Sequence, residues 1–210
     1  MLLLANVTVR QAIRLLNRGY DQNVGILTTP LLSINMKELA LSGMPWAADN
    51  GAFSGFDAHR FRLFLGKIKG YSNCLFVVCP DVVGDAVATV EMFDRWQGEV
   101  LCSGQSIAFV LQDGQEDLEL PDADSYFVGG STRFKLSAVA TDLIRECKHR
   151  GAWVHMGRVN SKRRIRYAHV RGVDSIDGTC MRFAGFGAIV DMCEYISMLD
   201  TYKRIRKHNE

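Results

Sequence analysis

Short apolar runs that stop at a polar, glycine-containing tip recur along the whole chain. They fall at residues 2–6, 23–30, 45–51, 74–81, 106–114, 125–131, 152–158 and 173–177. Within them apolar residues mostly follow one another instead of alternating with polar ones, which is the pattern of strands covered on both faces of a parallel sheet. The segments between carry helical spacing. Phe61, Phe64, Leu65 and Ile68 fall at i, i+3, i+4 and i+7; Ala86, Val90 and Phe93 repeat that period, as do Leu136, Val139, Ala140 and Leu143. The last stretch, "FGAIVDMCEYISMLDTYKRIRKHNE", reads as a terminal helix with a basic end, whereas 114–124 is too short and too acidic for a full helix. Strand and helix in alternation define an α/β fold. Eight strand candidates predict a compact (β/α)8 barrel of the TIM type, a single domain over 1–210, with an open doubly wound sheet as the alternative.

In a barrel, the polar tips "DNG", "PDVVGD", "QDG", "GGST", "MGR" and "DSIDG" share one face. That is the C-terminal end of the strands, where such folds carry their active sites. The aspartates are then expected on a wet, polar rim.

Composition adds less than its distribution. With 48% hydrophobic and 23% charged residues, the chain is not a disordered one. The net charge of +2 is neutral on partners, but the charges are segregated: Gln105 to Asp124 holds six acids and no Lys or Arg, and Gly157 to Val173 holds six Lys or Arg and no acid. The six cysteines form no CxxC pair and several sit in apolar runs. The N-terminal "MLLLANVTVRQ" lacks the basic region and cleavage site of a signal peptide. Reduced, mostly buried thiols and a cytoplasmic location are the expectation, with no membrane span.

Two carboxylates facing one substrate can divide labour, one attacking carbon and the other moving a proton. Asp49 and Asp177 are the candidates for that pair, although each can equally turn a loop or cap a helix, as Asp57 and Asp85 are expected to do. "FVGGST" offers backbone N–H groups to an anion or carbonyl at Gly129 and Gly130, or serves as a plain tight turn. Gln112 can read a planar base through its amide, and Phe53 and Met156 can sandwich one; a rim or core role is open for each. No His or Cys spacing suits a metal, so none is expected. The basic run with Arg158, Lys162, Arg163 and Arg166 is either a solvated helix or a surface for a phosphate backbone.

In their order, the tips resemble those of the tRNA-guanine transglycosylase family, and more closely its phage and bacterial relatives that place 7-deazaguanine bases in DNA. "ADNGAFSGF" is similar to the family's Asp-Ser-Gly-Gly-aromatic motif and "GVDSIDGT" to its Gly-Ile-Asp-x-Phe-Asp segment. The resemblance implies Asp177 as nucleophile and Asp49 as general acid/base. It also implies Phe53 and Met156 as stacking faces and a base pocket of Asp81, Gln112, Gly129 and Gly130. The family's C-terminal zinc site has no counterpart, and Asn50 and Ala52 replace Ser and Gly, which favours DNA over tRNA. Implied, then, is a pentosyltransferase that exchanges guanine in nucleic acid for a 7-deazaguanine base, in the host cytoplasm if phage-encoded, with a homodimer left open. Such base exchange needs no cofactor. Two rival readings remain: a barrel enzyme acting on a small phosphorylated sugar, with "GGST" and Arg158 as the phosphate cradle, and a non-catalytic nucleic-acid-binding barrel.

Overall fold

The computed structural model describes residues 1–20, 22–32, 34–178 and 180–208, with residues 180–184 and 207–208 described as backbone alone. Eight parallel strands close into a barrel in chain order: β1 (Leu2–Ala5), β2 (Val24–Thr28), β3 (Trp46–Ala48), β4 (Cys74–Val78), β5 (Ile107–Leu111), β6 (Ser125–Val128), β7 (Trp153–Met156) and β8 (Ser175–Ile176), which pairs back onto β1. Each expected apolar run contains one of them. Around the barrel run α1 (Val9–Leu16), α2 (Met36–Leu41), α3 (Ala58–Ile68), α4 (Ala86–Leu101), α5 (Thr132–Lys135), α6 (Ala138–His149), α7 (Lys162–Val170) and α8 (Cys180–His208), the last broken at Gly185. The fold is a compact (β/α)8 barrel, not an open sheet. The acidic stretch after β5 holds only a 3-10 turn at Gln115–Asp117, too short to span the barrel wall as a helix.

Two apolar layers hold these elements. Inside the barrel, Leu4, Leu27, Ala47, Phe76, Val78, Ala108 and Val110 form a buried cluster that Phe127 and Trp153 extend. Outside it, the opposite faces of the strands pack on the helices through residues such as Trp46, Phe61, Phe93, Phe109 and Ile165. A strand buried on both faces has no polar side to show, which is why the runs read as continuously apolar. Asp57 and Asp85 do cap helices, each accepting the third backbone N–H of α3 or α4 at 3.0 Å.

No helix among the described residues is long and apolar enough to cross a membrane. Cys79, Cys147 and Cys193 are buried free thiols, Cys74 is half-buried and Cys102 exposed; the side chain of Cys180 lies outside the described residues.

Candidate active site at the barrel mouth

A cavity of about 320 Å³ opens at the C-terminal ends of the strands. Its wall brings together Asp49, Phe53, Asp81, Gln112, Gly129, Gly130, Arg158 and Asp177 from the loops after six strands, β3 to β8, and adds Lys135. It leaves out Met156, which is 1% exposed. Side chains alternate across a strand. In β7, His155 contacts the Phe76 and Phe127 rings on the inside, so Met156 faces the helices and the expected second stacking face is core packing. Gly157 follows on the inner side: a Cβ there would lie 2.6 Å from the Phe127 ring, so glycine keeps the mouth open.

The carboxylates sit lower than the expected wet rim. Asp49, at the end of β3, is half-buried, and its Oδ1 accepts the Gly51 N–H at 3.0 Å. Burial pushes its carboxyl up to about 6, against that hydrogen bond and aided by the nearby charges of Asp177 and Asp81. Asp81 is also raised by burial, opposed by hydrogen bonds from Asn50 and Gln112. Those bonds are short: Asn50 Nδ2 donates to Asp81 Oδ1 at 2.7 Å, and Gln112 Nε2 donates to Asp81 Oδ2 at 2.6 Å. Gln112 Oε1 meanwhile accepts the Gly84 N–H at 2.9 Å. Both ends of the Gln112 amide are therefore engaged with the protein, which ties β3, β4 and β5 together and leaves little for reading a base.

The glycine turn is similarly committed. Gly129 N–H donates to Leu111 O at 3.0 Å, and Ser131 gives its N–H and hydroxyl to Asp113 at 2.7 and 2.6 Å. The Gly129 N–H that "GGST" was expected to offer an external anion is thus taken by the backbone, and the adjoining Ser131 donors are held by the Asp113 carboxylate. Gly130 (φ +69°) must stay glycine, because a Cβ would come within 2.5 Å of Asp113 Oδ2. Its carbonyl accepts Arg158 Nη2 at 2.6 Å, and the Arg158 guanidinium lies 4.4 Å from the centre of the exposed Phe53 ring. Phe53 is thus a platform for an arginine.

Asp177 is 9% exposed. Its Oδ1 accepts the backbone N–H of Arg158 and its Oδ2 meets His155 Nε2, both at 3.0 Å. Arg158 adopts φ 57°, a left-handed conformation that a non-glycine residue pays for, and that conformation aims its N–H at the carboxylate. Behind it, His155 Nδ1 meets Ser175 Oγ at 2.9 Å, and Ser175 Oγ accepts Trp153 Nε1–H at 2.9 Å. An ionised carboxylate only accepts, so the His155 proton belongs on Nε2 and Ser175 donates to Nδ1. Sequence reasoning missed His155, Lys135 and Asn50. The available signal for His155 was a polar residue inside an apolar strand, two positions before a tip glycine. Asp174 is structural: its Oδ2 accepts Val154 N–H at 2.7 Å and Lys148 Nζ at 2.6 Å.

Lys162, Arg163 and Arg166 are not part of the mouth. α7 starts at the mouth and runs back along the barrel wall, taking Arg163 and Arg166 to a groove with Arg164, Tyr167 and Arg171. Lys162 Nζ lies 5.5 Å from the Tyr195 ring of α8. Among the described residues, no group of three or more His, Cys, Asp or Glu is placed to hold a metal ion.

No protein-family model and no curated protein sequence matches the chain. Solved structures do. A 3-hexulose-6-phosphate synthase from Salmonella typhimurium is similar over 94% of this chain and 97% of its own, with a TM-score of 0.58 and 18% identity. A cube-shaped, highly porous protein cage designed by fusing symmetric oligomeric domains covers 99% of this chain and 73% of its own, with a TM-score of 0.54 and 10% identity. At these identities the likeness shows the fold. The comparisons overturn the guanine/7-deazaguanine pentosyltransferase expectation, with its phage and DNA-modification setting: the similar enzyme is a sugar-phosphate synthase, and none of the comparisons points to a transglycosylase. The physical reason lies in the motifs. Asp and Gly are common wherever a strand ends in a tight turn, so tips built from them are compatible with more than one activity.

Proposed function

We propose that the chain is an enzyme acting on a small phosphorylated sugar. The observation that carries this reading is the mixture of charge in one cavity: two cations, Arg158 and Lys135, share its wall with three carboxylates, Asp49, Asp81 and Asp177. A phosphate belongs at the arginine, whose planar fork suits it; sugar hydroxyls and a labile proton belong at the carboxylates. The cavity is at the small end of the range for metabolite sites, of about 300–1,000 Å³. The name of the similar synthase supports the same substrate class. Asp49 is suited to be the general base, because a carboxyl raised to about 6 is ionised at pH 7 yet more basic than a free one. Asp177, held by the Arg158 N–H and His155 Nε2, is fixed in place to orient the substrate.

The test is loss of the proton next to the carbonyl. Ketose phosphates incubated with the protein in heavy water are expected to exchange that proton, with a rate that climbs through pH 6 as Asp49 ionises. No exchange with any ketose or aldose phosphate would remove Asp49 from this role.

A second reading, compatible with the first, concerns the far side of α7. None of the ion pairs among the described residues involves Arg163, Arg164 or Arg166. A second groove on the other flank adds Tyr195, Tyr202, Lys203 and Arg206. Unpaired cations with aromatic rings between them suit a phosphodiester backbone. Replacing Lys162, Arg163 and Arg166 with Ala is expected to weaken oligonucleotide binding and to flatten its salt dependence by about 0.7 to 0.9 per lost phosphate contact. An unchanged slope in titrations at two salt concentrations would leave α7 as a solvated helix.

A further inference from the structure

We propose that Lys135 is a catalytic nucleophile that takes the carbonyl carbon of the substrate as an imine, so that the substrate is an open-chain ketose or aldose phosphate. This rests on the reading of the mouth as a phosphorylated-sugar site.

Lysines are seldom buried unless paired with a carboxylate. Lys135 is 4% exposed, and none of the ion pairs among the described residues includes it. Its Nζ donates to a backbone carbonyl, Gly157 O, at 2.9 Å, and the side chain forms part of the cavity wall. The charges around it come from four neighbouring segments. Arg158 from the loop after β7 and Arg164 on α7 disfavour the ammonium, while Asp177 after β8 and Asp113 after β5 favour it. Burial outweighs these charges and lowers the amine to about 8. A free amine is therefore within reach near neutral pH, which is the condition for attack on a carbonyl. A lysine kept only for packing gains nothing from facing a polar cavity, and one kept only as a charge would be better placed beside a carboxylate.

The step balances within the cavity. The ammonium gives one proton to a cavity carboxylate, and the amine nitrogen forms a bond to the carbonyl carbon. The carbonyl oxygen takes one proton from that nitrogen and one back from the carboxylic acid, and leaves as water as the nitrogen lone pair forms the C=N bond, which restores the carboxylate. The overall change is ammonium plus carbonyl to iminium plus water, with no oxidant or reductant. The iminium then draws electrons from the adjacent C–H bond, whose proton Asp49 accepts. Arg158, nearer the surface, holds the phosphate.

The test is to trap the iminium. The intact protein is incubated with dihydroxyacetone phosphate as probe, reduced with borohydride, weighed by mass spectrometry and mapped by peptide. Binding of the same probe is followed separately by the 31P signal. The expected result is one adduct per chain on Lys135, suppressed by inorganic phosphate, with a trapping rate that rises with pH and levels above about 8. Lys135→Arg, which keeps the charge and the donor, is expected to bind the probe and form no adduct. Probe binding without an adduct, or adducts spread over surface lysines, would overturn the imine while leaving the phosphorylated-sugar reading. No binding and no adduct would overturn both. An adduct on Lys135 formed equally well by unphosphorylated dihydroxyacetone would uphold the nucleophile and remove the phosphate.

Discussion

Replacing Asp49 with asparagine is expected to lower turnover of a phosphorylated sugar by about 10²- to 10⁴-fold, the usual contribution of a positioned general base. The same change is expected to stabilise the fold at neutral and higher pH. A carboxyl whose folded value is raised from 3.8 to about 6 is more easily kept protonated, so ionising it in place opposes folding. As pH climbs from 4 through 6 the native protein therefore loses stability, by up to about 3 kcal/mol once Asp49 is fully ionised. Asparagine carries no charge and keeps the oxygen that accepts the Gly51 N–H. The variant should thus match the native protein below pH 4 and exceed it above pH 6. Paired urea titrations at pH 4 and pH 8 check this. A variant that is less stable at pH 8 would show that the Asp49 charge is already compensated, and so is not available as a base.

Arg158→Ala is expected to weaken binding of a sugar phosphate by about 10- to 150-fold, since a hydrogen bond to a charged group contributes about 1.5–3 kcal/mol. The backbone N–H to Asp177 survives that substitution, so the carboxylate should stay in place and the loss should fall mainly on affinity. Arg158→Lys should recover only part of it, because an ammonium cannot present a planar fork and loses the stacked position over Phe53. Equal affinity in the native protein and Arg158→Ala would move the phosphate to another part of the wall.

How far the sequence can be read differs between fold and site. The strands were legible because a parallel barrel buries both faces of each one, which makes β5 continuously apolar and β2 apolar up to Thr28. The positions of Asp49, Asp81, Gln112 and Asp177 were legible for a related reason, since a polar residue ending such a run must sit at a strand tip. Their partners were not. The Asn50–Asp81–Gln112 bridge joins three loops that the side-by-side pairing of β3, β4 and β5 brings within 2.7 Å. The parity of β7 was also hidden: apolar neighbours on both faces gave no sign that His155 points in and Met156 out. Lys135 went unnoticed because nothing local marks a lysine that folds over a strand end instead of into solvent. The activity was not legible in the tips, because Asp and Gly at a strand end serve a tight turn as readily as a catalytic site.

Whether the mouth takes a phosphorylated sugar is decided by calorimetric titration of the native protein with ketose phosphates and with the same sugars lacking phosphate. Saturable binding of one phosphorylated sugar per chain, competed by inorganic phosphate, is expected, with no measurable binding of its unphosphorylated counterpart. Equal affinity for the two forms, or no binding across a panel of sugar phosphates, would contradict it.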